Sequence, residues 1–203
     1  MIAMRIFTSN QPFSWGKLEL PLCGLTEDWF GTHLTSPSVF TLAKDEESLW
    51  FIAVFPQHSN IHPAAPPGQF TSELWKYDVA ELFLANPATG EYLEFNLTSN
   101  GAWWASKFSS VREPVDTQPF FTEHIQSHHE PGELDQRVVG LEIPLDFLKR
   151  EIDFSVKTTA NTTIIRETPS PRYLSASKLS GDKPDFHQPS CFPTLTFESI
   201  PSD

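Results

Sequence analysis

Between residues 74 and 108 the chain reads LWKYDVAELFLANPATGEYLEFNLTSNGAWWASKF, and its apolar and polar positions fall into three short runs. VAELFLA, EYLEFNLTS and WWASKF are rich in β-branched and aromatic residues and partly alternating, which predicts strands. The breaks between them carry turn chemistry: Pro87 and Gly90 in one, Asn100-Gly101 in the other. Three antiparallel strands in a meander follow. In the middle strand Leu93, Phe95 and Leu97 fall on one face, and Tyr92, Glu94, Asn96 and Thr98 on the other. The first set requires a core. The second is a row of hydrogen-bonding groups on an open sheet face, suited to a ligand or to water.

The same cadence runs through the rest of the chain. A strand is expected at 17–22. Residues 38–43 and 48–55 form a hairpin around KDEE, and the second arm is so continuously apolar that it reads as central and buried on both faces. Residues 56–70 are a loop rich in Pro and His, long enough to frame a site. Residues 111–118 form another loop, 120–126 a strand, and HHEPGEL a turn. Residues 135–143 alternate, with Val139, Leu141 and Ile143 on one face. Pro144 then opens a short helical turn, PLDFLKRE, centred on 145–150. Residues 153–165 read as a long strand with a polar middle, 169–189 as loop containing RYLSAS, and PTLTFE as the closing strand. About ten strands, one helical turn and no heptads predict an all-β fold, an antiparallel β-sandwich of jelly-roll type. Phe51, Ala53, Phe83, Phe95, Leu97, Val139, Leu141 and Phe197 are the expected core.

Length and charge narrow the picture. A chain of 203 residues fits one β-sandwich domain spanning 1–203. Its net charge of −12 argues against nucleic acid and against an anionic membrane surface, and is compatible with a neutral ligand such as a sugar. No run is long and apolar enough to span a membrane, and the first residues lack the apolar core of a signal peptide. Cys23 and Cys191 are the only cysteines and read as reduced thiols of a cytoplasmic protein, with a single disulfide as the alternative. Asn96 and Asn161 stand in N-x-[ST] sequons, but Asn96 lies mid-strand and glycosylation is not expected.

The order LW-x-x-D-VAELFL, EYLEFN, S-NG-AWW, then LEIPLDFL, RYLSAS and DFHQPSCFPTLTF resembles DOMON-like proteins related to family 9 carbohydrate-binding modules. The likeness covers residues 48–197 and is strongest at 74–108. It implies a non-catalytic β-sandwich holding a mono- or oligosaccharide on one face or rim, with a flat aromatic residue before the E-L-F strand and another near the C-terminus. Trp75 matches the first and Tyr173 stands near the second, where sugar-binding members carry Trp. Glu81 matches an acid that receives sugar hydroxyls. Glu94 and Asn96 lie on the strand with further polar contacts, although a cation is expected at the place of Glu94. His187 in DFHQP is implied to anchor the closing loop by a hydrogen bond.

Each candidate has an ordinary alternative. Trp75 can stack on a pyranose or pack over the sheet edge, and packing is the reading for Tyr77. Trp103 and Trp104 are adjacent and point to opposite faces, so at most one is core. A buried Glu81 needs a partner, and Arg112, Arg166 and Arg172 are the available bases. Read as an enzyme, the chain would be a glycoside hydrolase using Glu81 and Glu94. His58, His62, His124, His128 and His129 read as solvated loop histidines, and no metal or other cofactor is expected. A haem-binding DOMON module would need Met/His ligation, yet Met1 and Met4 are the only methionines and both lie at the start. The remaining alternative is a partner-binding or structural module without a small ligand, its protein partner not identified by the sequence.

Overall fold

The computed structural model describes residues 4–56, 58–115, 124–132, 135–167 and 170–200. Thirteen strands are present there: β1 (Arg5–Thr8), β2 (Cys23–Glu27), β3 (His33–Lys44), β4 (Ser48–Pro56), β5 (Val79–Ala85), β6 (Tyr92–Leu97), β7 (Trp103–Ser110), β8 (Glu113–Pro114), β9 (Gln126–Pro131), β10 (Gln136–Pro144), β11 (Thr159–Arg166), β12 (Arg172–Ser175) and β13 (Thr196–Ser199). The one α-helix among the described residues, α1 (Leu145–Ile152), follows Pro144 directly. One sheet runs β13-β1-β3-β4-β10-β9, with β2 also paired to β3, and the other runs β12-β11-β5-β6-β7-β8.

Alternation along the strands builds the core between the sheets. Leu42, Phe51, Ala53, Val139 and Leu141 from the first sheet meet Leu82, Leu84, Leu93, Phe95 and Leu97 from the second in one buried cluster. Each such Phe or Leu contributes about 1.5–3 kcal/mol through removal from water. The hairpin of β3 and β4 pairs Val39 with Val54 through Lys44 with Leu49, and β4 lies inside its sheet. The meander β5-β6-β7 is antiparallel throughout. Gly101 in its second turn has φ +79°, a conformation that glycine adopts without penalty.

Several expectations are corrected. No strand forms at 17–22; Leu18 and Leu20 instead pack on the outer face of the first sheet, because that face offers Trp50 and Ile52 as apolar partners. HHEPGEL is not simply a turn, since residues through Pro131 extend β10 as the edge strand β9. Of the strand expected at 120–126, residues 120–123 lie outside the described residues and Gln126 opens β9. The long strand at 153–165 starts late: Asp153 closes α1 in a left-handed conformation, φ 52°, and β11 begins at Thr159. The sheets are not purely antiparallel, because β1 pairs parallel with both β13 and β3. These partners come from distant parts of the chain, so no hairpin imposes a direction. Phe197, on the edge strand β13, is only partly buried.

Candidate functional site

The strands that fill the core with one face present a second set of side chains on the other. On β5 these are Val79, Glu81, Phe83 and Ala85, and on β6 Tyr92, Glu94 and Asn96. Register fixes their neighbours. Glu81 lies opposite Asn96 on one side and Thr163 on the other; Glu94 lies opposite Phe83 and Ser106; Trp104 lies opposite Asn96. Glu81 and Glu94 are therefore diagonal neighbours on one sheet face.

This face is not open to water as the alternation alone implies. Glu81, Glu94, Asn96, Thr98, Asn161 and Thr163 are all buried, Glu81 at 2% and Glu94 at 4% exposure. Their cover comes from two segments, one just before β5 and one far along the chain. Before β5 the chain makes a 3-10 turn, Leu74–Lys76, preceded by Glu73 with φ 63°. That turn brings Trp75 edge-on against Trp104 of β7, ring centroids 5.6 Å apart at 62°. From the other side, the segment between β12 and β13 brings Asp185, Phe186 and His187 over the sheet.

Between these covers lies a cleft of about 840 Å³, within the range of about 300–1,000 Å³ usual for small-molecule sites. Trp75, Trp104, Phe83, Phe108, Tyr173 and Phe186 give it aromatic walls, and Glu81, Glu94, Arg112, Asp185 and His187 its ionisable groups. Of the five residues singled out in the sequence, Trp75, Glu81, Glu94 and Tyr173 line this one cleft. Asn96 does not; it is fully buried beneath, where its Nδ2 donates to Glu94 Oε1 at 2.8 Å.

Hydrogen bonds set the chemistry. Thr163 Oγ1 donates to Glu81 Oε2 at 2.6 Å. His187 Nδ1 and the Tyr92 hydroxyl lie 2.7 Å apart, and that hydroxyl also accepts the Arg112 backbone N–H at 3.0 Å. The hydrogen bond to Tyr92 gives His187 the anchoring role that the DFHQP segment implies. Its Nε2 lies 3.7 Å from Glu94 Oε2. Arg112 adopts φ 61° and pairs with Asp185 at 2.8 Å, joining the β7–β8 turn to the closing segment.

Burial dominates the titration of these groups. It pushes Glu81 up to about 7, with the Thr163 bond and the Arg112 charge opposing. It pushes Glu94 up to about 8, reinforced by the charge of Glu81 and opposed by the Asn96 bond and by Arg112. His187 is driven down to about 4 by burial and then by Arg112, against the pull of Asp185. Burial also works to raise Asp185, but the His187 N–H and the Arg112 guanidinium outweigh it and hold the carboxyl below its ordinary value.

Other candidates fall away from the cleft. Trp103 points into the core and Trp104 to the cleft. Arg172 belongs to Asp28, at 2.6 Å, and not to Glu81. Met4 is buried between the sheets. His128 lies on β9 and stacks between Trp15 and Trp50, so it is not a solvated loop residue. Cys23 and Cys191 are both free. Asn96 and Asn161 are fully buried. Among the described residues no three His, Cys, Asp or Glu side chains gather as metal ligands, and no helix is long and apolar enough to cross a membrane.

No protein-family model matches the chain, and no curated protein matches it in sequence. Solved structures do match in shape. A protein from Bacteroides uniformis described as a candidate carbohydrate-binding protein aligns with a TM-score of 0.65 at 16% identity, over 88% of this chain and 86% of its own. A family 9 carbohydrate-binding module from Caldicellulosiruptor kristjanssonii in complex with glucose aligns at 0.58 and 13% identity, over 98% of both chains. The module in complex with cellotriose aligns at 0.59 and 13% identity, over 97% of this chain and 95% of its own. At such identities the likeness establishes a shared β-sandwich fold.

Proposed function

We propose that this chain is a non-catalytic sugar-binding β-sandwich, DOMON-like and related to family 9 carbohydrate-binding modules, with its ligand in the cleft on the outer face of the six-stranded sheet. The observation that carries the reading is the meeting of Trp75 with Glu81, Glu94 and Tyr173 in one cleft. Sugar recognition needs an aromatic plate for the apolar face of a pyranose and a few fixed polar groups for its hydroxyls. Trp75 is 40% exposed and offers the plate. Glu81 and Glu94 offer the polar groups, on rigid strands that lose little entropy when a ligand arrives. Asn96 acts behind them by orienting Glu94. The modules bound to glucose and to cellotriose share the fold and support the reading.

The carboxyl pair does not favour glycoside hydrolysis. That chemistry needs one acid and one ionised base or nucleophile, with pKa values pushed apart. Here burial pushes both upward, so neither is set apart as the ionised partner.

Calorimetry of the wild type and Trp75→Ala against glucose, cellobiose, cellotriose and xylose tests the proposal. Loss of the stacking plate is expected to weaken binding about tenfold or more. Unchanged affinity in Trp75→Ala rejects this site. No binding to any neutral sugar in the panel, nor to a charged one, rejects the function and leaves a protein-partner role.

A further inference from the structure

The cleft floor carries acid without a matching base. Arg112 is committed to Asp185 at 2.8 Å, and His187 is neutral near pH 7. That leaves Glu81 and Glu94, whose hydrogen-bond partners among the described residues are a hydroxyl and an amide, Thr163 and Asn96. Asn96 Oδ1, buried beneath them, is an acceptor with no donor among the described residues. The floor is thus rich in acceptors, and aromatic rings wall it in.

From this geometry we infer that the cleft selects sugars bearing an ammonium group, amino sugars such as glucosamine, over neutral and acidic ones. The inference rests on the reading of the cleft as a sugar site and names the class of sugar it takes. An ammonium brings three N–H donors and a positive charge to buried carboxyls that each have one neutral donor and no cation hydrogen-bonded to them among the described residues. Aromatic faces attract the same cation through their quadrupoles. A neutral sugar supplies hydroxyl donors alone. A uronic acid adds a further negative charge to the floor.

Binding of the cation has a proton signature. In the empty cleft near neutral pH the carboxyl pair holds protons that free glutamates would have lost. The amine enters protonated, a carboxyl O–H ionises to complete the ion pair, and its proton leaves to buffer. The surrounding groups do not supply that proton. Thr163 on β11 and Asn96 on β6 do not titrate, Tyr92 is pushed up to about 12, Tyr173 is raised, and His187 is already deprotonated. Asp185 is held ionised by the His187 N–H and by its Arg112 partner.

Calorimetry at pH 7 in two buffers of different ionisation enthalpy, with glucosamine, glucose, N-acetylglucosamine and glucuronic acid, provides the test. Glucosamine is expected to bind about tenfold or more tighter than glucose, the scale of one charge-assisted hydrogen bond over a neutral one. Its binding should release protons, and N-acetylglucosamine, without the charge, should show neither effect. Glu94→Gln should abolish both the preference and the proton release, with Glu81→Gln as a second variant if the first does not fold. Glucose binding as tightly as glucosamine, without proton release, overturns the inference and leaves the sugar site standing. Failure of every sugar overturns both.

Discussion

The two outer faces of the sandwich are built from similar strands and end up in opposite states. On the seven-stranded sheet, Phe7, Ala43, Trp50 and Ile52 are covered by Phe13, Trp15, Leu18 and Leu20 of the N-terminal segment. Apolar meets apolar over much of this face, beside the half-buried His128–Glu142 pair. On the six-stranded sheet, Phe83, Tyr92 and Phe108 share the face with Glu81, Glu94, Asn96 and Thr163. The covers there meet only at the margins and leave a cleft of about 840 Å³. Burying two carboxyls and several amides and hydroxyls costs stability that an apolar face would keep. The first face also buries polar side chains, Thr41 and Ser48, but under apolar cover, whereas the second leaves its carboxyls facing a cleft.

The largest test of that contrast is Trp50→Ala. Trp50 is 2% exposed and stacks on His128, which in turn stacks on Trp15. Its removal should cost about 3–5 kcal/mol in denaturant unfolding. Ligand binding at the other face should persist under native conditions. Loss of binding in a variant that remains folded would mean that the two faces are coupled through the core.

A smaller effect on the same face comes from one added methyl. A Cβ on Gly140 would lie 2.5 Å from the Trp15 ring. Gly140→Ala must therefore push Trp15 off the sheet, at about 1–3 kcal/mol of overpacking cost. Tryptophan fluorescence should report the displaced ring together with a lower denaturant midpoint. An unchanged midpoint would show that the N-terminal cover contributes little to stability.

These two positions also mark what the sequence could convey. Alternation on β5, β6 and β7 was legible because every second residue of a strand shares a face, so the split of Leu93, Phe95 and Leu97 from Tyr92, Glu94 and Asn96 needed no tertiary knowledge. The cover was not legible. Leu18 and Leu20 look like strand residues until Trp50 and Ile52 are known to lie beneath them. Asp185 and Phe186 reach the cleft from about 100 residues beyond β5 and β6, and no local period encodes that return. Arg112 could be named as a partner for Glu81, but its link to Asp185 depends on a left-handed backbone that only the folded turn reveals. Trp75 and Glu81 are six positions apart, and the 3-10 turn before β5 is what lets both line one cleft.

The polar face should also make stability depend on pH. Folded Glu81 and Glu94 are raised above the ordinary 4.5, to about 7 and about 8, so the unfolded chain loses those protons first as pH rises. Between about 4.5 and 8 the folded state binds more protons, and stability falls with increasing pH. His187, lowered from 6.5 to about 4, gives the opposite slope between those two values. Above about pH 6.5 the carboxyls act alone among these groups. Thermal unfolding midpoints should therefore drop from about pH 6.5 to about 8, and Glu94→Gln should flatten the drop. A rising midpoint across that window would mean that the carboxyls are ionised and paired in the folded protein.

The smallest effect isolates a single hydrogen bond of the polar face. Thr163 donates to Glu81 Oε2 at 2.6 Å, and both residues are buried. Thr163→Val keeps the shape of the side chain and removes the donor, so packing on β11 should change little. What is lost is stabilisation of the carboxylate, about 1 kcal/mol for one such bond. The bond favours the charged form of Glu81 and lowers its pKa, so its removal pushes that pKa higher still. Below about pH 6 the carboxyl is protonated in both proteins and the variant should unfold close to the wild-type midpoint. Above about pH 7 the wild type can ionise Glu81 against a donor and the variant cannot, so the gap should widen. Denaturant unfolding of both proteins at pH 5.5 and pH 8 measures the two gaps. A gap that is equal at both values would assign the Thr163 hydroxyl to packing and remove it from the electrostatics of the cleft.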